Sequence, residues 1–420
     1  MFIVRIRTKS RVKRMEAKAM ENTNLRLMEN GPISKTILKL AIPTVLSTII
    51  SIIYNITDTY FIGMLDDPVQ LGAISLAFPV FMVLQALGNL FGVGAPPYIS
   101  RMLGAGDLEE VKRTSSVAVY FSTALILFLS LLCFIFMNPI LHIIGTSTDT
   151  FGPTKKYLSI VIAFSTVIIL QSLLPALLRA EGKVREAVIG MVLGTVINII
   201  LDPVFILFFH MGVSGAAWAT VIGNVIAVLF YLFVFLKGNT LLSVNPHDFK
   251  LSGKMFREVL KIGIPSSVSL VLTSATTAMF NNLAVKYGDY VVPVYMGAFS
   301  TNSQIIAIGT QFLRVQAWAV PIMGVQTCIM TTFQATGQGV RALIVSLGRQ
   351  CLFYIPVLYL FNTLWGLNGL LCVQMTSDWL TVIVAVTIAI PLLLRLRGMT
   401  GQNPEKIARH DDTTHLTGEV

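Results

Sequence analysis

Ionised side chains are scarce in this chain of 420 residues: Asp, Glu, Lys and Arg together make up 12%, against 54% hydrophobic residues. So little charge, with a mean hydropathy of +0.75, excludes an ordinary soluble domain. Cysteine is also sparse. Cys133, Cys328, Cys351 and Cys372 all fall in apolar runs without metal-ligand spacing, which points to packing rather than disulfides or a metal centre. HExxH, GxSxG, P-loop and paired-Cys patterns are all missing, so the sequence offers no enzyme motif and no cofactor site. The basic residues outnumber the acidic ones, 31 to 21, yet they form no separate basic domain with interleaved aromatics, which argues against nucleic acid as a partner.

What the chain has is apolar length. Ten runs reach about the 20 residues needed to cross a bilayer's hydrocarbon. They lie near 37–62, 71–100, 114–138, 157–180, 187–209, 213–236, 258–285, 304–333, 342–362 and 368–394. The Lys and Arg residues gather at alternate ends of these runs: ten from Arg5 to Lys39, three each in Arg101/Lys112/Arg113 and Arg179/Lys183/Arg185, and five from Lys237 to Lys261. The opposite connections hold little beyond Lys155, Lys156 and Lys286. The positive-inside rule then places both termini in the cytoplasm. Residues 1–35 lack an apolar core of the signal-peptide kind and read as a basic leader.

The halves repeat. "KLAIP" (Lys39 to Pro43) matches "KIGIP" (Lys261 to Pro265) at an offset of 222; "RAEGKVREA" (Arg179 to Ala187) matches "QATGQGVRA" (Gln334 to Ala342), and "MGVSG" (Met211 to Gly215) matches "WGLNG" (Trp365 to Gly369), both at about 155. The fall in offset means that about 67 residues, two spans, are missing from the second half. Projected on the first half, the missing piece corresponds to Leu71 to Met137, and the junction falls in Asp289 to Asn302. Losing two crossings preserves the inside/outside order of all that follows. The expected architecture is all-α and polytopic: a leader at 1–35, a six-helix lobe at 36–237, a linker at 238–257, a four-helix lobe at 258–397 and a tail at 398–420.

Carboxylates inside hydrocarbon are costly and mark ion or substrate paths by default. The first half carries two, Asp58 and Asp202. Asn198 precedes Asp202 by four residues and so shares its helix face, as Tyr54 does with Asp58. Pro203 removes a backbone donor beside Asp202, and Thr220 adds an oxygen in the next span. This oxygen-rich set suits a small hard cation or a shared proton. A plainer reading stays open, with Asp58 solvated near the outer interface and Asp202 a satisfied interhelical group.

Several stretches together resemble the multidrug and toxic compound extrusion (MATE) family: "AIPTVLSTIISIIYNITDTYFIG", "GVGAPPYISRMLGAGD", "RAEGKVREA", "NIILDPVFILFFHMGVSGAAWAT" and "FQATGQ". The resemblance covers about residues 30–397 and implies two pseudosymmetric lobes around a cavity that opens alternately to either side. It implies a coupling site for Na⁺ or H⁺ at Asp58, Asn198, Asp202 and Thr220, and export of lipophilic organic cations from a bacterial or archaeal inner membrane. Tyr54, Asn55, Met191 and Asp378 are cavity-lining candidates. Arg349 reads as snorkelling toward the cytoplasm. Two rivals remain: a lipid-linked oligosaccharide flippase, which calls for Arg or Lys rather than carboxylates in the cavity, and a non-transporting remnant, because the shortened second lobe would breach a sealed cavity.

Overall fold

A computed structural model of the chain describes parts of the first span between 45 and 63, then residues 67–238, 240–287, 303–335 and 338–399. Tyr54, Asn55, Gly337 and the junction at 289–302 lie outside the described residues. Among the described residues the structure is helical and without strands. Helices α1 (Pro68–Gly92), α2 (Ala95–Gly104), α3 (Leu108–Ile135), α4 (Met137–Ile143), α5 (Thr148–Ala163), α6 (Ser165–Ala180), α7 (Val184–Pro203) and α8 (Val213–Leu236) belong to the first lobe. The second lobe is built from α9 (Gly253–Ala284), α10 (Ser303–Ala317), α11 (Val320–Ala335), α12 (Gly339–Leu347) and α13 (Ile355–Met399).

Local chemistry sets the ends. Asp67 caps α1 by accepting from Val69 N at 2.9 Å, with Pro68 at the first helical position, where a missing N–H costs nothing. Asp107 caps α3 through Glu110 N at 3.0 Å. The expected span at 157–180 is longer and broken: α5 and α6 meet at Phe164 with a bend of 53°. Its opening turns were hidden in the sequence because Asp149, Lys155 and Lys156 sit on the outer part of an otherwise apolar helix. The span at 304–333 is likewise two shorter helices, α10 and α11.

The repeat is visible in the backbone. Gly212 and Gly366, paired by the "MGVSG"/"WGLNG" match, adopt φ 56°, ψ −139° and φ 57°, ψ −131°, a region essentially restricted to glycine. Gly366 breaks the 45-residue α13 into two segments, just as Gly212 separates α7 and its π-helical end (Val204–Phe208) from α8. Downstream, Gly215 and Gly369 lie against the backbone of Phe205 and Phe361 respectively, with no room for a methyl group.

The lobes meet along α1 and α9. Ser267 Oγ donates to the carbonyl of Ala86 at 2.7 Å, Ser274 Oγ to that of Pro79 at 2.7 Å, and Asn281 Nδ2 to that of Ser75 at 3.3 Å. These seven-residue steps keep the three donors on one face of α9. Near the end rich in Lys and Arg, Gly94 abuts the Val259 carbonyl and Gly263 the Leu90 carbonyl. Arg101 pairs with Glu258 there at 3.2 Å.

At the same basic end the chain between α8 and α9 is fastened to the first lobe. Ser116 Oγ donates to the Ser243 and Asn245 carbonyls and Tyr120 Oη to the Val244 carbonyl at 2.8 Å. Leu241 N donates to Glu181 Oε1 at 2.8 Å. Glu181 itself is buried, its second oxygen has no partner, and this desolvation raises its pKa to about 7.

Candidate coupling site in the first lobe

Small residues in α7 explain how two polar faces come together in an apolar bundle. Gly194 packs on Gly223 and Gly190 on the Tyr231 ring, so α7 and α8 approach closely. That closeness sets Asn198 and Asp202 of α7 against Thr220 of α8. Asn198 and Asp202 are 2% and 0% exposed. With the Asn198 amide oxygen turned toward α8, its Nδ2 donates to Asp202 Oδ2 at 3.1 Å and its oxygen accepts from Thr220 N at 3.1 Å. The opposite orientation leaves two weaker contacts of 3.4 Å, so the first satisfies the amide better.

Asp58 completes the cluster. Its side chain is in hydrogen-bonding contact with that of Asp202, while its Oδ1 is buried without a partner. Two carboxylates make such a contact only through a shared proton or a bridging cation. The orphaned oxygen, the second carboxylate and the neighbouring amide and hydroxyl form a donor set that fits a small monovalent cation. Among the described residues no group of three or more His, Cys, Asp or Glu side chains forms a metal cluster.

Asp58, Asn198 and Thr220 border a cavity of about 380 Å³, together with Met191, Tyr157, Phe78 and Phe81. Thus Met191 lies where a cavity residue was expected. Asp378 does not: it is 0% exposed and pairs with Arg349 Nε at 2.7 Å, with Gln374 Nε2 donating to both of its oxygens at 3.1 and 3.0 Å. Arg349 therefore does not snorkel to the cytoplasm. The pairing escaped the sequence because it joins residues 29 apart across two helices. Cavity residues that the sequence reading missed are Gln85, Gln171, Thr195 and Asn224; the signal was an amide or hydroxyl within an apolar span.

The helix arrangement and the sequence both match known transporters. The MatE family model matches residues 43–204 and 290–360. The Multidrug export protein MepA of Staphylococcus aureus (strain MRSA252) is 31% identical over 442 residues, covering 90% of this chain and 98% of MepA. The protein of the same name from Staphylococcus haemolyticus matches to the same extent. Because 90% of 420 residues is about 378, some 64 of the 442 aligned positions have no residue here, close to the two-span deficit read from the repeat. Among solved structures, an outward-facing multidrug resistance MATE family transporter superposes with a TM-score of 0.69 at 22% identity, over 86% of this chain and 96% of that one. A MOP superfamily transporter from Pyrococcus furiosus does so at 0.69 and 23%, over 90% and 99%. Ends to end, the agreement in sequence and in helix arrangement makes this chain a multi-pass membrane protein of the MATE family of transporters.

Proposed function

We propose that the chain is a secondary antiporter of a bacterial or archaeal cell membrane, exporting lipophilic organic cations in exchange for Na⁺ or H⁺ taken up at Asp58, Asn198, Asp202 and Thr220. The observation that carries this reading is the direct contact of Asp58 with Asp202 at the edge of a cavity. An incoming ion neutralises the pair, which weakens its hold on a positively charged cargo; release on the other side restores that hold. Because loaded and empty pairs favour different arrangements, the ion gradient biases the cycle toward export. The charge pattern places the basic end and both termini in the cytoplasm, and the carboxylates favour cationic cargo over the anionic carriers of a flippase. The lobe division at 238–257 belongs to the same reading.

One observation favours a second reading, a non-transporting remnant. The α1–α9 seam is hydrogen-bonded along much of its length, and rocking of one lobe against the other would break it. Efflux of a lipophilic cation dye from a pump-deficient host separates the two. Antiport predicts efflux that Asp58→Asn reduces by roughly a hundredfold, the scale of losing about 2.7 kcal/mol of coupling. Efflux unaffected by Asp58→Asn would refute the site. Efflux absent from the native chain, and restored by a two-span insert at 293, would support the remnant.

A further inference from the structure

Three amides of the cavity wall have no hydrogen-bond partner among the described residues. Gln85 on α1, Gln171 on α6 and Asn224 on α8 all border the same space as Asp58, and none is hydrogen-bonded to another described residue. An amide facing hydrocarbon with its hydrogen bonds unmade costs several kcal/mol. Water filling the cavity would remove this penalty. The second observation is their order. Asp202 lies about 27 Å along α7 from the basic end, while Gln171 lies about 14 Å from the basic end of α6, at 1.5 Å per residue. On α8, Asn224 stands one turn closer to the basic end than Thr220, and on α7 Thr195 one turn closer than Asn198. From the acidic pair, then, oxygens descend through Asn198/Thr220, Thr195/Asn224 and Gln171/Gln85. Below them lies a dry layer. Phe91, Leu174, Leu177, Ala227 and Tyr231 are buried in one cluster, and Tyr231 Oη donates to the Ala187 carbonyl at 2.9 Å.

We propose that this file of neutral amides and hydroxyls is the inward half of the coupling cation's route, a hydrated shaft through the first lobe itself, closed by the apolar cluster around Tyr231. The inference rests on the antiport reading above and adds the exit to the site. Neutral oxygens replace a cation's hydration water without the deep trap that a further carboxylate would make, which is what conduction past a binding site requires. They serve Na⁺ and a hydrated proton alike.

The test uses the full chain in liposomes under an imposed ion gradient, with tracer sodium in one arm and a lumenal pH dye in the other. Asn224→Leu and Gln171→Leu should slow cation entry by roughly tenfold or more, a barrier increase that one lost polar contact can produce. Equilibrium binding of the same cation at the acidic pair should stay near that of the native chain. The conservative Asn224→Gln and Gln171→Asn should recover most of the rate, which a purely structural role would not predict. Leucine variants that are monodisperse and carry cation at the native rate would overturn the shaft. If Asp58→Asn leaves cation binding intact, the site reading fails instead. Water entry has its own readout, independent of transport: in a background without the four native cysteines, Gln171→Cys and Asn224→Cys should react with a small charged thiol reagent. Silence at both, with Lys250→Cys on the exposed connection before α9 labelled, would refute a hydrated shaft.

Discussion

The two lobes treat a membrane-buried aspartate in opposite ways. In the first, Asp58 and Asp202 face each other beside a cavity, with an amide and a hydroxyl as neighbours and, among the described residues, no Lys or Arg paired with them. In the second, Asp378 is sealed from the surroundings and held by Arg349 and Gln374. Gln350 next to Arg349 is engaged as well, accepting from Thr276 Oγ1 at 3.0 Å and donating to Thr273 Oγ1 at 2.8 Å. The difference teaches where exchange is possible. A carboxylate whose charge is already balanced from within offers little to a visiting ion, whereas a like-charged pair requires one. The shortened lobe is therefore read as scaffold and the complete lobe as the working half.

Breaking the scaffold's ion pair should produce the largest change in stability. Asp378→Leu leaves Arg349 unbalanced in the bundle and should destabilise by about 3–5 kcal/mol, while Asp378→Leu with Arg349→Met should recover most of that. Thermal unfolding in detergent micelles checks both. By contrast Asp58→Asn removes one of two like charges and should shift stability by less than about 1 kcal/mol, although it should cut ion-coupled efflux by roughly a hundredfold. If Asp58→Asn proved the more destabilising, the assignment of roles to the lobes would be reversed.

The next effect concerns pH at the strap between the lobes. Glu181 is held near a pKa of about 7 by burial, against an ordinary 4.5. A group with a raised folded pKa favours the protonated fold. The stability is fully present below pH 4.5 and is lost as pH rises through 7, by roughly 3 kcal/mol in total. Lys183 and Glu186 are the charged groups acting on it, the first opposing the shift and the second adding to it. Glu181→Gln should flatten the dependence between pH 5 and 8, and hydrogen exchange at the Leu241 amide should slow at the alkaline end. A profile unchanged by the substitution would remove Glu181 from the account.

Smallest, and most direct for the duplication, is the pair of matched glycines. Gly366→Ala forces a side chain into a positive-φ conformation and should cost about 1–3 kcal/mol. Gly212→Ala should cost more than Gly366→Ala, by about 1 kcal/mol, the size of a lost hydrogen bond. At Gly212 the new methyl would displace Gln70 Oε1, which accepts from Val213 N at 3.1 Å, whereas at Gly366 it meets the Tyr287 ring at ordinary contact distance. Equal costs would mean that the two turns are more alike than their surroundings suggest.

Much of this was legible in the sequence, and the reasons are physical. Apolar length gives the spans, because bilayer thickness fixes their size. The four-residue step from Asn198 to Asp202 gives a shared helix face. The repeat offset gives the shortened lobe and the Gly212/Gly366 equivalence. What periodicity does not encode is which side chains meet across helices. The Arg349–Asp378 bond, the break at Phe164 and the convergence of Gln85, Gln171 and Asn224 on one cavity depend on how whole helices pack, and a single sequence leaves those contacts unspecified.

The Arg349–Asp378 bond has an electrical consequence. A transmembrane voltage does work only on unbalanced charge, about 2.3 kcal/mol per elementary charge for each 100 mV. The Arg349–Asp378 pair, its positive and negative partners tied together, is blind to that field. On the antiport proposed above, that pair therefore adds nothing to a transport current, which would reflect only the ion taken up at Asp58 and Asp202 and the charge carried by the cargo.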